Sequence, residues 1–473
     1  MEREAYIVAI DLGSTMTRVV AGQYEEGKPF GLNIIYKNQQ SSRSLRRGEV
    51  ETPAEERKIV ENLLLGAERA IKNDAAEGKS ADAKKKKDKT VQYILGVNIS
   101  GLKTWTTEKR ELSKVEGGIV TRRLLQDLDT KARNSVLNDK LAGDETVFDT
   151  TVMKYYLDGT IGEDDVIGKR ANEIEGRFLV HCAKRALVNN VLDSFPEGKK
   201  PTYRKSTASS KAEILLMPDV LKEGVALVDL GAQTMGVAIY YDKALVKEVT
   251  IPLGMDTVTR DLATEFGMST EDAEEVKLTL GVLSEESGAP YSVMMKDGRE
   301  ILCNRAKYNS VVKARVEELA AYVSSQLDLE LKKITAVYLT GGGANMTGVK
   351  DIFASRIGRP VNIARIDVGT ITTAELQTYA CAIGMASTVA KELHEINVEE
   401  AKAEVEKKAK EEAEVRAKAE AKPEGVEKEE KEEREQSETG KGEERAEPQK
   451  KGFWSRVKGF VSQAMNDDFN NKE

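Results

Sequence analysis

Two short stretches carry residues whose types and spacing suit the same chemistry. Asp229-Leu230-Gly231-Ala232-Gln233-Thr234 follows the apolar run Val225–Val228 and leads into a second, Met235–Tyr240. Near the N-terminus, Ala9-Ile10-Asp11-Leu12-Gly13-Ser14-Thr15 leads into Met16-Thr17-Arg18-Val19-Val20 in the same order. Each reads as a strand, a tight turn and a returning strand. Glycine in such a turn lets the backbone approach a ligand, the turn N–H groups hold phosphate oxygens, and the carboxylate holds a metal through water. That combination suits a magnesium-bound polyphosphate. A single Asp-x-Gly hairpin is common and usually only structural. Two matched copies, each entered by a buried-type strand, tip the balance towards function.

Other candidates are weaker. Glu274 and Lys277 lie three apart on a predicted helix (Thr270–Leu280), hence on one face, and spacing alone reads as a surface ion pair. Gly341-Gly342-Gly343-Ala344 directly follows an apolar strand, Ile334–Leu339, and precedes a helix, an arrangement that brings a flat ligand to backbone and helix N-terminus together. His181-Cys182 tempts towards nucleophilic chemistry, but successive strand residues face opposite ways, so buried structural roles are expected. The three cysteines, Cys182, Cys303 and Cys381, have no metal-ligand spacing, and with only two histidines a zinc site is not expected.

Positioning these residues takes alternating strands and helices. Strands are expected at Tyr6–Ile10, Thr17–Tyr24 and Leu32–Lys37, then a helix opened by Thr52-x-x-Glu55 with Ile59, Leu63, Leu64, Ala67 and Ile71 on its apolar face. Asn73–Lys89, with Lys84-Lys85-Lys86-Lys87, reads as a solvated loop. Residues 91–175 read as a separate small α/β module beginning with the strand Val91–Ser100. Its helix is capped by Thr121, its next strand is Val147–Leu157, and it appears inserted into the first domain. Ser194–Ser210 reads as a loop. With 473 residues there is ample length for several domains. The 72 Lys+Arg stand against 80 Asp+Glu, a mixed net charge of −8 that gives no argument for nucleic-acid binding. No signal-peptide core or spanning run is seen, so a cytoplasmic location is expected.

In order, the two Asp-Leu-Gly turns, Glu274-x-x-Lys277 and Gly341-Gly342-Gly343 resemble the phosphate and adenosine motifs of the actin/Hsp70/sugar-kinase superfamily. Ile99-Ser100-Gly101, Gly118-Ile119-Val120-Thr121, Tyr156-Leu157-Asp158-Gly159 and Ile167-Gly168 further resemble the bacterial cell-division actin homologue family, FtsA, over residues 5–390 and the extreme C-terminus. The resemblance implies an α/β actin-like ATPase fold of two ribonuclease H-like lobes. Lobe I would take residues 1–90 and 176–224, the inserted module 91–175, and lobe II 225–390, with a small subdomain near 266–305. It implies ATP between the lobes, with Asp11 and Asp229 holding Mg²⁺ through water. Gly13, Ser14, Thr15, Gly231, Gln233 and Thr234 would surround the phosphates. Glu274 and Lys277 would meet ribose and adenine, and Gly341, Gly342, Gly343 and Ala344 would pack on the base. The chain departs from the family pattern at Ala232, Gln233 and Met255, where glycines are usual, which implies at most slow hydrolysis. No general base is identified.

The C-terminal quarter has its own physics. Between Ile396 and Phe453 there is no Leu, Ile, Phe, Tyr, Trp or Met, so residues 391–449 cannot bury a core. Glu399–Lys422 reads as an exposed single helix, followed by a disordered tether; about fifty flexible residues span on the order of 40 Å. Apolarity returns in 450–473, where Phe453, Trp454, Val457, Phe460 and Val461 form one helical stripe flanked by Lys450, Lys451, Arg456 and Lys458. That pattern suits an amphipathic helix lying in an anionic membrane surface. By resemblance the protein would polymerise there, tether filaments of the tubulin-like division protein FtsZ through the region 266–305, and recruit other division proteins. A pilus-assembly actin homologue and a sugar or metabolite kinase are the alternatives.

Overall fold

A computed structural model of the chain describes residues 4–77, 92–139, 143–161, 165–281, 289–328, 330, 332–366, 368 and 371–420. One compact unit ends at Lys391 and a second begins at Glu392. The first opens with β1 (Tyr6–Leu12), whose leading residues are buried on both faces, as a central strand requires. β2 (Met16–Tyr24) pairs antiparallel with β1, and β3 (Leu32–Ser41) with β2. A hairpin of β4 (Leu45–Arg46) and β5 (Glu49–Val50) turns through Arg47 and Gly48, both at positive φ. In α1 (Pro53–Glu77), Thr52 meets the Glu55 carboxylate at 3.2 Å, and Leu63, Leu64, Ala67 and Ile71 enter the core, as their spacing predicts.

β6 (Ile94–Ile99) pairs parallel with β1. The strand expected to open the inserted module is therefore part of the first lobe's central sheet. All its residues are buried, and only a strand with both faces covered can be so. The module's own sheet is β7 (Thr104–Lys114), β8 (Glu145–Leu157), β9 (Thr160–Ile161) and β10 (Glu173–Lys184), in the order β7-β10-β8-β9 and antiparallel throughout. α2 (Arg122–Asp139) covers it, setting Leu128, Ala132 and Val136 in one core with Ile174, Phe178 and Val180. Thr121 Oγ1 accepts from the Leu124 N–H at 3.3 Å, the expected cap. The chain enters and leaves at one point, where the Lys184 N–H donates to the Lys103 carbonyl at 3.1 Å.

α3 (Arg185–Asp193) returns to the first lobe, burying Leu187, Val188 and Val191. Where a loop was expected over Ser194–Ser210, β11 (Tyr203–Ser206) adds an edge strand parallel to β6, and α4 (Thr207–Leu215) follows. Tyr-Arg-Lys-Ser has no alternation of apolar and polar residues, and β11 relies on backbone pairing instead. α5 (Pro218–Lys222) leads to the second lobe.

There β12 (Val225–Leu230), β13 (Met235–Tyr241) and β14 (Ala244–Ile251) form an antiparallel trio. α6 (Asp256–Phe266), α7 (Thr270–Leu280), the hairpin β15 (Tyr291–Met294) and β16 (Glu300–Cys303), and α8 (Arg305–Leu327) come next. β17 (Ala336–Thr340) pairs parallel with β12, and after α9 (Val349–Ile357), β18 (Val361–Ile363) pairs parallel with β17. The order β14-β13-β12-β17-β18 repeats β3-β2-β1-β6-β11 in the first lobe. In both, the central strand has one antiparallel and one parallel neighbour, and its C-terminal end carries the aspartate. α10 (Thr373–Glu420) closes the first unit, burying Leu376, Ala380, Cys381, Ile383 and Met385.

Within the second unit α10 runs on to Glu420, so the single helix expected from Glu399 is present as far as that residue. Lys84–Lys87, the tether after Glu420 and the amphipathic stretch 450–473 lie outside the described residues. Among the described residues no helix is long and apolar enough to cross a membrane. His181 and Cys182 are both buried; the His181 Nδ1 faces Glu248 at 3.3 Å and Nε2 faces Thr151 at 3.0 Å, a structural setting.

Candidate functional site

The two Asp-Leu-Gly turns have one geometry. The Gly13 N–H donates to the Met16 carbonyl at 3.2 Å, and the Gly231 N–H to the Thr234 carbonyl at 3.0 Å. Each turn therefore closes on the same hydrogen bond between the same positions of two antiparallel strands. The second is also braced by the start of α6, where the N-cap Met255 and the first helical residue Asp256 donate backbone N–H groups to the Gly231 and Ala232 carbonyls at 3.0 and 2.8 Å.

The third turn stands directly against the second. Gly341 has φ +85°, and a Cβ there would lie 2.4 Å from Asp229 Oδ1 and 2.7 Å from the Leu230 carbonyl, so only glycine fits. Ala344 and Gly343 are buried, Gly341 is half-buried and Gly342 is exposed. Met255, one of the residues departing from the family pattern, is buried and packs at Gly343. Its bulk fills core, not cleft.

Glu274 and Lys277 are brought together, but not as a surface pair. Lys277 is 5% exposed. Its Nζ lies 2.6 Å from Glu274 Oε2, 2.8 Å from Thr259 Oγ1 and 3.3 Å from the Met255 carbonyl. The Thr259 hydroxyl also donates to Glu274 at 2.5 Å. The packing of α6 on α7 buries the cation, so Lys277 holds the base of the second turn in place, while the Glu274 side chain keeps an open face. Nearby, burial raises the Asp256 carboxyl above the usual carboxylate range, with Glu274 pushing the same way.

Gln233, another of the three departures, spans the lobes. Its Oε1 accepts from the backbone N–H of Arg47 at 2.8 Å.

Each turn aspartate has a cation beside it. Arg18, opposite Asp11 on β2, places a guanidinium nitrogen 3.5 Å from Asp11 Oδ2. Its buried Nε has no hydrogen-bond partner among the described residues, a donor left over for an anion. Lys211, on α4, places Nζ 2.5 Å from Asp229 Oδ2, with only 13% and 25% of the two side chains exposed. Burial works against the Lys211 charge, but Asp229, Cys381 and Asp11 outweigh it and hold its pKa above the ordinary lysine value. Burial, then Asp11, push the Cys381 thiol far above its usual range. Neither Arg18 nor Lys211 was identified from the sequence. Arg18 had a signal, as the residue paired across the hairpin with Asp11. Lys211 had none: it stands one residue beyond the stretch read as loop, Ser194–Ser210, and no spacing pairs it with Asp229.

The turn N–H groups and the spare Arg18 donor fit a polyphosphate. The carboxylates fit a divalent metal poorly: both are already neutralised by protein cations, and no group of three metal-ligating side chains stands together among the described residues.

The family model described as "Cell division protein FtsA" matches residues 226–384. The chain is 26% identical over 392 residues to the cell division protein FtsA of Porphyromonas gingivalis (strain ATCC BAA-308 / W83), covering 80% of this chain and 77% of that protein. It is 32% identical over 278 residues to that of Escherichia coli (strain K12), covering 54% and 64%. Over most of its length the chain is similar to proteins of the FtsA family. A solved chain of the PilM-PilN type IV pilus biogenesis complex has the same fold, with a TM-score of 0.55 at 15% identity over 82% of this chain and 99% of that one. The likeness to FtsA supports a cell-division protein of the actin-like kind, and the two matched lobes have the form of the α/β halves of that fold. Against the FtsA pattern described above, Gln233 and Met255 have structural duties here, one across the lobes and one in the core.

Proposed function

We propose that this chain binds ATP between its two lobes and, as a division protein of the FtsA kind, polymerises at the cytoplasmic membrane. There it would tether FtsZ filaments and help recruit the other division proteins. The observation that carries the nucleotide part is the duplicated turn: two topologically identical sheets each end a central strand in the same hydrogen-bonded Asp-Leu-Gly hairpin. Gly13, Ser14, Thr15, Gly231 and Thr234 would surround the phosphates, Glu274 the ribose, and Gly341–Ala344 the base. Hydrolysis is at most slow in this reading, since Ala232 and Gln233 stand where the family pattern has glycines.

The membrane part rests on sequence: Phe453, Trp454, Val457, Phe460 and Val461 on one stripe, with four basic neighbours. Burying each large apolar side chain contributes roughly 1.5–3 kcal/mol before ordering costs, and each Lys or Arg about 1 kcal/mol on an anionic leaflet. A filament carrying many such helices binds multivalently. Co-sedimentation of the full chain with anionic vesicles, alone and with FtsZ, tests this. Trp454→Glu should release the protein from vesicles while leaving ATP binding intact. A variant that sediments as well as the wild type would place the anchor elsewhere.

A further inference from the structure

The centre of the cleft holds a cation of the protein's own where the superfamily places a metal. Resting on the reading of this site as an ATP site, the geometry points to Lys211 as the built-in counter-ion of the phosphate chain, so that ATP binds here without a divalent metal. The argument starts from charge. Asp11 and Asp229 alone would give the two turns two negative charges, and a polyphosphate would then need a divalent ion to sit between them. Here Arg18 stands 3.5 Å from one carboxylate and the Lys211 ammonium 2.5 Å from the other. Each turn carboxylate is thus offset by a protein cation before any ligand arrives, and a phosphate chain entering the cleft meets the Lys211 ammonium and the Arg18 guanidinium where a metal would otherwise stand.

Lys211 is also aimed, not merely near. Ser206 caps α4, its hydroxyl accepting from the Ala208 and Ser209 N–H groups and donating to Glu248 at 2.5 Å. The Tyr240 hydroxyl donates to the Ala208 carbonyl at 3.1 Å, and Asn98 donates to Ser210 at 2.7 Å. On the other side α10 presses backbone to backbone: a Cβ at Gly384 would lie 1.8 Å from the Ser210 carbonyl. Four contacts thus fix the turn of helix that carries Lys211, and its ammonium stays charged there. The Lys211 ammonium also lines a small pocket of about 40 Å³ together with Thr207, Asp229, Thr234 and Glu248.

Titration of the full chain with ATP by calorimetry, in magnesium and in EDTA, tests the proposal. Wild-type affinity should differ by less than about threefold between the two, and Lys211→Arg should behave alike. Lys211→Met should lose about tenfold or more in EDTA and recover with magnesium, because Asp229 is then free to hold a hydrated ion. A wild type that binds ATP only with magnesium overturns the role of Lys211 while leaving the ATP site standing. So does a Lys211→Met protein that binds as tightly as wild type in EDTA. Absence of ATP binding in both solutions overturns the ATP site itself, and this proposal with it. Should Lys211→Met fail to fold, the wild-type pair of titrations still decides.

Discussion

Gln233 and Arg47 are joined across the cleft by one hydrogen bond, from the Arg47 backbone N–H to the Gln233 side-chain oxygen at 2.8 Å. Gln233 belongs to the second Asp-Leu-Gly turn and Arg47 to the tip of the β4–β5 hairpin on the first lobe, so the bond latches the lobes beside the proposed phosphate site. An exposed neutral hydrogen bond contributes about 1 kcal/mol. Gln233→Gly should therefore speed release of a fluorescent ATP analogue about fivefold, measured by stopped flow, with little change in global stability. Arg47→Ala should leave the release rate as it is, because the donor is backbone. Equal rates in Gln233→Gly and wild type would show that the latch does not hold the lobes.

Asp229→Ala should cost stability as well as ligand affinity, since it strands the Lys211 ammonium. The half-buried charge-assisted contact suggests a loss of about 1.5–3 kcal/mol in urea unfolding. Adding Lys211→Met should recover most of it, because the stranded charge is gone. Additive losses in the double variant would mean the two residues are not coupled.

Lys277 and Glu274 should separate by readout. Lys277→Met removes a buried cation from three acceptors and should lower the unfolding free energy by about 2–3 kcal/mol. Glu274→Gln retains the contact with Thr259 and should act mainly on ATP affinity, by about tenfold if its open face meets the ribose. Unchanged affinity in Glu274→Gln would remove it from the nucleotide site.

Glu375 opens α10 in a box with Thr372 and pairs with Lys37 at 2.7 Å. The Lys37 ammonium, then the Thr372 hydroxyl and N–H, pull its carboxyl down to about 2. A carboxylate with a depressed folded pKa adds stability above its unfolded pKa and loses it as pH falls through the folded one. The melting-temperature gap between wild type and Glu375→Gln should thus be full at neutral pH. It should shrink from the ordinary glutamate range downwards and close near about pH 2. A gap independent of pH would assign the effect to packing.

The two Asp-Leu-Gly turns were legible because everything that makes them is local: an apolar run, an aspartate, a glycine and a second apolar run within a dozen or so residues. The same holds for α1, whose cap and apolar face obey one period, and for the duplication of Asp-Leu-Gly, which falls on two topologically equivalent sheets. Arg18 was legible in principle, since hairpin register sets it opposite Asp11. What was not legible depends on distant segments. No local pattern says that β6 lies beside β1, because a fully apolar strand is compatible with any sheet that covers both its faces. Spacing put Glu274 and Lys277 on one face, but only the packing of α6 on α7 takes the lysine out of water. Lys211 meets Asp229 because α4 is trapped between Tyr240, Asn98 and the bare backbone at Gly384. Residue types and periods encode dihedral preference and facing. Which charges become neighbours, and how far from water, follows from the close packing of elements far apart in the chain, and that packing alone decided the electrostatics of this site.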